Sequence, residues 1–170
     1  LGYGKIGLKV ISIINNIISA EVIYGQEIKP RKGINIPGCT ASLDAVTKRD
    51  IEYIQFAVDN DIDYIALSFV REANDIELAR KYINKFGGYI PIIAKLEKPQ
   101  AVKNLDEIVK AADGIMVARG DLGIEMSPAE VPIVQKTIIN IDKILNNIFF
   151  IFSSLICFIY RIITNSTFII

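Results

Sequence analysis

Two short runs of this sequence hold residue types whose spacing could do chemistry. Lys95-Leu96-Glu97 closes an apolar run that begins at Tyr89 and stops before Pro99. Read as a strand, the run alternates its side chains, so Lys95 and Glu97 share one face and Leu96 takes the other. A lysine and a glutamate aimed into an apolar interior are costly unless they pair or bind something. The plainer alternative is an exposed salt bridge at a strand end. The second run is Ala118-Arg119-Gly120-Asp121-Leu122-Gly123, again following a short apolar strand. Gly120 and Gly123 would let backbone N–H groups approach a ligand closely. Asp121 could share a cation with Glu97 on the neighbouring strand. Two carboxylates completed by waters and substrate oxygens commonly hold Mg²⁺. Here the plainer alternative is a polar loop with turn glycines. A third run, Gly2-x-Gly4-x-x-Gly7, imitates a dinucleotide fingerprint. No strand precedes it and a β-rich run follows, so these read as turn glycines.

Composition narrows the chemistry further. The 170 residues are 51% apolar and 22% charged, enough for a buried core. Nineteen basic residues balance nineteen acidic ones, so no net charge argues for a nucleic acid partner. With no histidine, Ser-His-Asp and Cys-His mechanisms and histidine metal sites are excluded. Cys39 and Cys157 form neither a zinc site nor a disulfide framework, and a reducing compartment is expected. Any metal must therefore be held by oxygen, which favours Mg²⁺ or Mn²⁺. No targeting segment is visible, and the sequon Asn165-Ser166-Thr167 is discounted for want of a signal peptide.

The elements that must position the two runs are legible from periodicity. Lys5–Ile14 and Ile17–Tyr24 are β-branched runs joined by Asn15-Asn16, which predicts a hairpin. Lys29–Gly33 has the character of a hinge, and Pro37-Gly38 of a turn. Thr47 with Asp50 resembles a capping box before a helix carrying Ile51, Ile54 and Val58. Three short apolar strands follow, at Asp63–Val70, Tyr89–Glu97 and Gly114–Ala118. The helices between them carry Ile76, Ala79 and Ile83, then Val102, Leu105, Ile108 and Val109. Asn74-Asp75 could cap the first of these, and Gly87-Gly88 could end it. Pro128 opens a further helix with Val131, Val134 and Ile138. The expected class is α/β with a parallel sheet. An open doubly wound sheet and a (β/α)8 barrel both fit, and three strands cannot close a barrel.

The runs Ile34–Gly38, Ala66–Arg71, Ile92–Glu97 and Gly114–Glu125 resemble pyruvate kinase from about Lys5 to about Asn140. Lys98-Pro-Gln-Ala-Val gives the resemblance a bacterial or plastid-like flavour. It implies part of a small inserted β-barrel lid domain at 1–36, and a partial (β/α)8 TIM barrel at 37–142. It implies an enzyme of glycolysis turning phosphoenolpyruvate and ADP into pyruvate and ATP. Lys95 matches a lysine thought to stabilise the phosphoryl group in flight, and Glu97 and Asp121 match two carboxylates that bind Mg²⁺ or Mn²⁺. Gly120, with Ala118 and Arg119, matches a loop whose backbone binds the substrate carboxylate. Phe69 matches an aromatic residue lining the substrate pocket. K⁺ is implied as well, its ligands lying outside this chain, as do a phosphate-binding arginine and a substrate-binding threonine. The resemblance further implies a homotetramer in the cytoplasm or a plastid-type organelle. A Mg²⁺-dependent aldolase or lyase of the same barrel type is the competing enzyme, and the hinge run Arg31–Gly38 argues against it.

Residues 143–170 read as an apolar tail outside the family pattern, with Lys143 and Arg161 as its charges. Thirty-five isoleucines point to an A/T-rich coding sequence, and the tail is read as translated non-coding sequence. A membrane segment at Ile144–Tyr160 is opposed by Asn146 and Asn147. A genuine alternative ending covering an exposed sheet edge is the third reading. A non-catalytic, membrane-associated chain is the non-enzyme alternative. The chain alone is expected to be an inactive, aggregation-prone fragment whose inner sheet face and two sheet edges meet water.

Overall fold

The computed structural model describes residues 6–25, 46–145, 149–152 and 168–169, with residues 142–145, 149–152 and 168–169 described by backbone. The hinge and turn expected between Lys29 and Gly38, both cysteines and the sequon lie outside these residues. The chain divides into two compact units, Leu1–Cys39 and Thr40–Ile170.

In the first unit, β1 (Gly7–Ile14) and β2 (Ile17–Tyr24) pair antiparallel, with Ile14 opposite Ile17. Asn15 and Asn16 have φ of 50° and 62°. Two successive left-handed residues make the tight turn whose twist suits a hairpin, and asparagine tolerates that conformation better than most residues.

The second unit begins with α1 (Lys48–Asp59), whose predicted capping box is present. Asp50 N–H donates to Thr47 Oγ1 at 3.3 Å, and Thr47 N–H donates to Asp50 Oδ2 at 2.8 Å. There follow β3 (Tyr64–Leu67), α2 (Ala73–Lys85), β4 (Ile92–Leu96), α3 (Pro99–Lys103), α4 (Leu105–Ala111) and β5 (Gly114–Val117). After these come α5 (Arg119–Glu125), α6 (Val131–Leu145), β6 (Phe149–Phe152) and β7 (Phe168–Ile169). Gly87, at φ 80°, and Gly88 end α2, donating back to the carbonyls of Asn84 and Ile83.

The strands form one parallel sheet in the order β6-β5-β4-β3-β7. Where three strands were expected, β6 and β7 add one at each edge, so the edges of β5 and β3 are paired. The strand residues Ile65, Leu67, Ile92, Ala94, Leu96, Ile115 and Val117 join one core with helical residues from α1 to α6. The opposite face holds a separate cluster of Ala66, Ile93 and Met116, only 8%, 4% and 7% exposed. That face was expected to meet water and is instead buried. All the described helices thus contribute to one side, whereas a doubly wound sheet would be covered on both.

Three local readings need correction. The helix expected across Val102–Val109 breaks at Asn104 into α3 and α4, because Asn104 has left the helical path at ψ 23° and φ −101°. The glycine run after β5 is not a loop: Arg119–Glu125 is helical, with Leu122 buried as its anchor. The start of α2 is Glu72, with Asp75 at the third helical position, rather than Asn74-Asp75 as the cap. Asp75 accepts the N–H groups of Arg71 (2.8 Å) and Glu72 (3.4 Å).

At the N-terminal end of the sheet, Asp113 clasps two strands and a helix. Its Oδ2 accepts from Ile92 N–H at 2.8 Å and from Arg80 Nη2 at 2.9 Å, and the same Nη2 donates to Ala111 O at 2.8 Å. Asp113→Ala removes the acceptor for both donors. It should lower unfolding free energy by about 1–3 kcal/mol in a denaturant titration. It should leave the opposite end of the sheet unaffected.

Candidate functional site

The chemistry-bearing side chains gather at the C-terminal ends of β3, β4 and β5, where ligands bind in parallel α/β folds. Parallel register sets Ala66 beside Ile93 and Lys95 beside Met116, and Ala118 N–H reaches Leu96 O at 3.3 Å. The loops that follow these strands therefore start side by side. By alternation Lys95 and Glu97 fall on the Ile93 face, away from the helices, as the sequence predicts.

Lys95 Nζ lies 2.9 Å from Glu97 Oε1 and donates to Ser68 Oγ at 2.8 Å. The second carboxylate oxygen, Glu97 Oε2, accepts the backbone N–H of Phe69 at 3.0 Å. The side chains of Lys95 and Glu97 are 14% and 3% exposed. This is a buried pair and not the exposed strand-end salt bridge that remained open. Ser68 was not singled out from the sequence; its place one step beyond β3, opposite a lysine on β4, is a long-range fact that local pattern does not carry.

Phe69 takes φ 56°, a left-handed conformation that costs a non-glycine residue roughly 1–2 kcal/mol. Its N–H points at Glu97 as a result, and its ring stays exposed. The rest of its loop is tied down. Asp75 holds Arg71 N–H, and Asn104 Nδ2 donates to Arg71 O at 2.9 Å. Lys98 Nζ sits 5.8 Å from the centroid of the Phe69 ring and pairs with Glu125 Oε1. These last three side chains follow three different strands, Phe69 after β3, Lys98 after β4 and Glu125 at the end of α5 after β5.

Ala118, Arg119, Gly120 and Asp121 all lie at or just inside the start of α5. A Cβ added to Gly120 would meet no described atom within 4 Å, so the backbone there has room beside it. Arg119 and Gly120 line a hollow of about 390 Å³ with Gly123, Pro128, Val131 and Pro132. Lys95, Glu97 and Phe69 are drawn into one bonded cluster; Asp121, Gly120, Ala118 and Arg119 stand at the neighbouring strand end. Among the described residues no group of three acidic, cysteine or histidine side chains could hold a metal by itself.

The chain that carries this cluster is similar to known proteins along most of its length. A family model described as "Pyruvate kinase, barrel domain" matches residues 1–155. The chain belongs to the pyruvate kinase family. It is 46% identical over 140 residues to a pyruvate kinase of Corynebacterium glutamicum, covering 82% of this chain and 30% of that protein. A pyruvate kinase of Thermotoga maritima is 44% identical over 143 residues, 84% and 31% of the two chains. One of Thermococcus litoralis is 43% identical over 139 residues, 82% and 29%. The chain thus spans about 30% of the length of the curated relatives it matches. The family match runs past Asn140, through β6, into residues that read as tail. Among the described residues no helix is long and apolar enough to cross a membrane.

Proposed function

We propose that this chain supplies part of the site at which pyruvate kinase moves a phosphoryl group from phosphoenolpyruvate to ADP, giving pyruvate and ATP. The observation that carries the reading is the buried Lys95–Glu97 pair at the C-terminal end of β4, with Ser68 Oγ and the Phe69 N–H completing it. A largely buried ammonium at such a strand end is suited to offset charge on a transferring phosphoryl group, a reaction that needs positioning and neutralisation rather than a protein nucleophile. The helices on one face of the sheet support reading 37–142 as an arc of a (β/α)8 barrel, and the β1–β2 hairpin as part of a small lid domain.

The residues fit a hard divalent cation, since the candidate ligands, Glu97 and Asp121, offer carboxylate oxygens, the hard donors such an ion takes. Glu97 and Asp121 would hold Mg²⁺ or Mn²⁺. When bound, the ion would neutralise substrate oxygens and add to their polarisation. Lys95 would face the phosphoryl group. The backbone at Gly120, with Ala118 and Arg119, would bind the substrate carboxylate, and Phe69 would wall the pocket. K⁺ and its ligands would come from outside this chain, as would the homotetrameric contacts. A reducing, cytoplasm-type compartment suits the cysteine usage. The family match weighs against the aldolase or lyase reading.

The test is ATP formation from phosphoenolpyruvate and ADP by the protein that carries this chain, titrated with Mg²⁺. Asp121→Asn should raise the Mg²⁺ needed for half-activation by more than the about 10–100-fold typical of residues that merely support metal ligands. An unchanged Mg²⁺ requirement would remove Asp121 from the site.

A further inference from the structure

Glu97 and Asp121 sit on different supports. Glu97 follows β4 directly, whereas Asp121 rides on α5, a seven-residue helix. A helix so short has little stability of its own and takes its position from what it is tied to. Leu122 is its buried residue, and Glu125, its last residue, pairs with Lys98. Lys98 is the residue immediately after Glu97. The Glu125 side chain is 4% exposed and that of Lys98 22%, so the pair is largely shielded from water. The same ammonium lies against the Phe69 ring, on the loop whose N–H binds Glu97. One cation thus joins the loop after β3 and the end of β4 to the end of α5.

Resting on the site reading above, we propose that Lys98 and Glu125 are positioning residues for the divalent cation. Their ion pair fixes α5 against the end of β4 and so sets the separation of Glu97 and Asp121. Neither residue touches the cation. A cation held by two carboxylates on separate supports is bound tightly only when the supports are already at the right distance, because closing a gap costs binding free energy. Phe69 is stacked into the same arrangement, so its loop is held by the pair as well.

The experiment is Mn²⁺ binding to the protein with no nucleotide or other substrate present, read by loss of the free-ion electron paramagnetic resonance signal. Each variant's melting temperature is measured alongside, and binding is read well below it. Lys98→Met and Glu125→Gln should each weaken Mn²⁺ about 10–100-fold. The double variant should be no weaker than the worse single, since both remove one interaction. Glu125→Asp keeps the charge but shortens the arm by one methylene, and should weaken Mn²⁺ at least about threefold with the melting temperature nearly kept. It decides the matter if a single variant fails to fold. Folded variants that bind Mn²⁺ as the parent does overturn the proposal and leave the pair a purely structural bridge. Losses that multiply in the double variant overturn it too, since the two side chains would then act independently and not as one pair. Glu97→Gln and Asp121→Asn run in parallel. If those two leave Mn²⁺ binding unchanged, the metal site itself falls, and the positioning role falls with it.

Discussion

Lys95→Met should lower kcat for phosphoryl transfer by about 10²–10³-fold while changing KM for phosphoenolpyruvate far less. Lys95 is held in one place by Ser68 Oγ and Glu97 Oε1, so its ammonium is oriented before any substrate arrives. Such a charge stabilises a group in transit more than one at rest, and binding realised only in the transition state appears in kcat. Methionine keeps most of the stem's packing and deletes the charge. Steady-state kinetics in the protein that carries this chain give both constants. Proton exchange on pyruvate, which requires no phosphoryl movement, should survive better than ATP formation. Near-normal kcat would remove Lys95 from the reaction. A loss confined to KM would make it a ground-state binding residue.

Glu97 is expected to show the largest combined effect, on stability and on metal together. Its side chain is 3% exposed and both oxygens are engaged, one by Lys95 and one by the Phe69 N–H. Glu97→Ala leaves the Lys95 cation in a site only 14% exposed and the Phe69 N–H without its acceptor. Breaking one side of a buried pair commonly costs about 3–5 kcal/mol. The left-handed Phe69 backbone, which that acceptor helps to hold, loses its support at the same time. Glu97→Gln separates the two consequences. An amide oxygen can still accept from Phe69 N–H and the shape is kept, so a smaller loss is expected in urea unfolding. Mg²⁺ activation should nevertheless collapse, because the formal charge that attracts the ion is gone. A glutamine variant with the parent's Mg²⁺ response would dismiss Glu97 as a ligand while leaving its structural part intact.

The features that were legible in the sequence are those that local chemistry determines. Asn15-Asn16 between β-branched runs specifies a tight turn, and Thr47 with Asp50 specifies a helix start. Strand alternation alone places Lys95 and Glu97 on one face. What was not legible depends on residues far apart in the chain. Ser68 reaches Lys95 and Lys98 reaches Glu125 across 27 positions in each case, and neither partner carries a local mark. The run after β5 misled because Gly120 and Gly123 signal turns by type, yet Leu122 between them finds a place in the core and holds a helical turn. The tail misled in the same way. Its composition signals no strand between turn residues, but Phe149–Phe152 align residue for residue with Gly114–Val117, a pairing that depends on the distant β5 edge.

The order of the helical layer has a consequence for how damage spreads. The main contacts run between successive members: α1 with α2, α2 with α4, α4 with α6, and β3 with β4, β4 with β5, β5 with β6. Such a layer behaves as a row of linked neighbours, each held chiefly by the two beside it, as in repeat architectures. Ile54 beneath α1 and Ile138 beneath α6 belong to helices with no main contact between them, so the free-energy costs of cavities at the two should add. Cavities at Ile76 under α2 and Ile108 under α4 lie in adjoining members and interfere. Among the described strands, β4 has on each side a strand that is itself paired on both sides, so local opening should cost most there, where Lys95 stands and Glu97 follows. The proposed site residues therefore stand on a strand with paired neighbours on both sides.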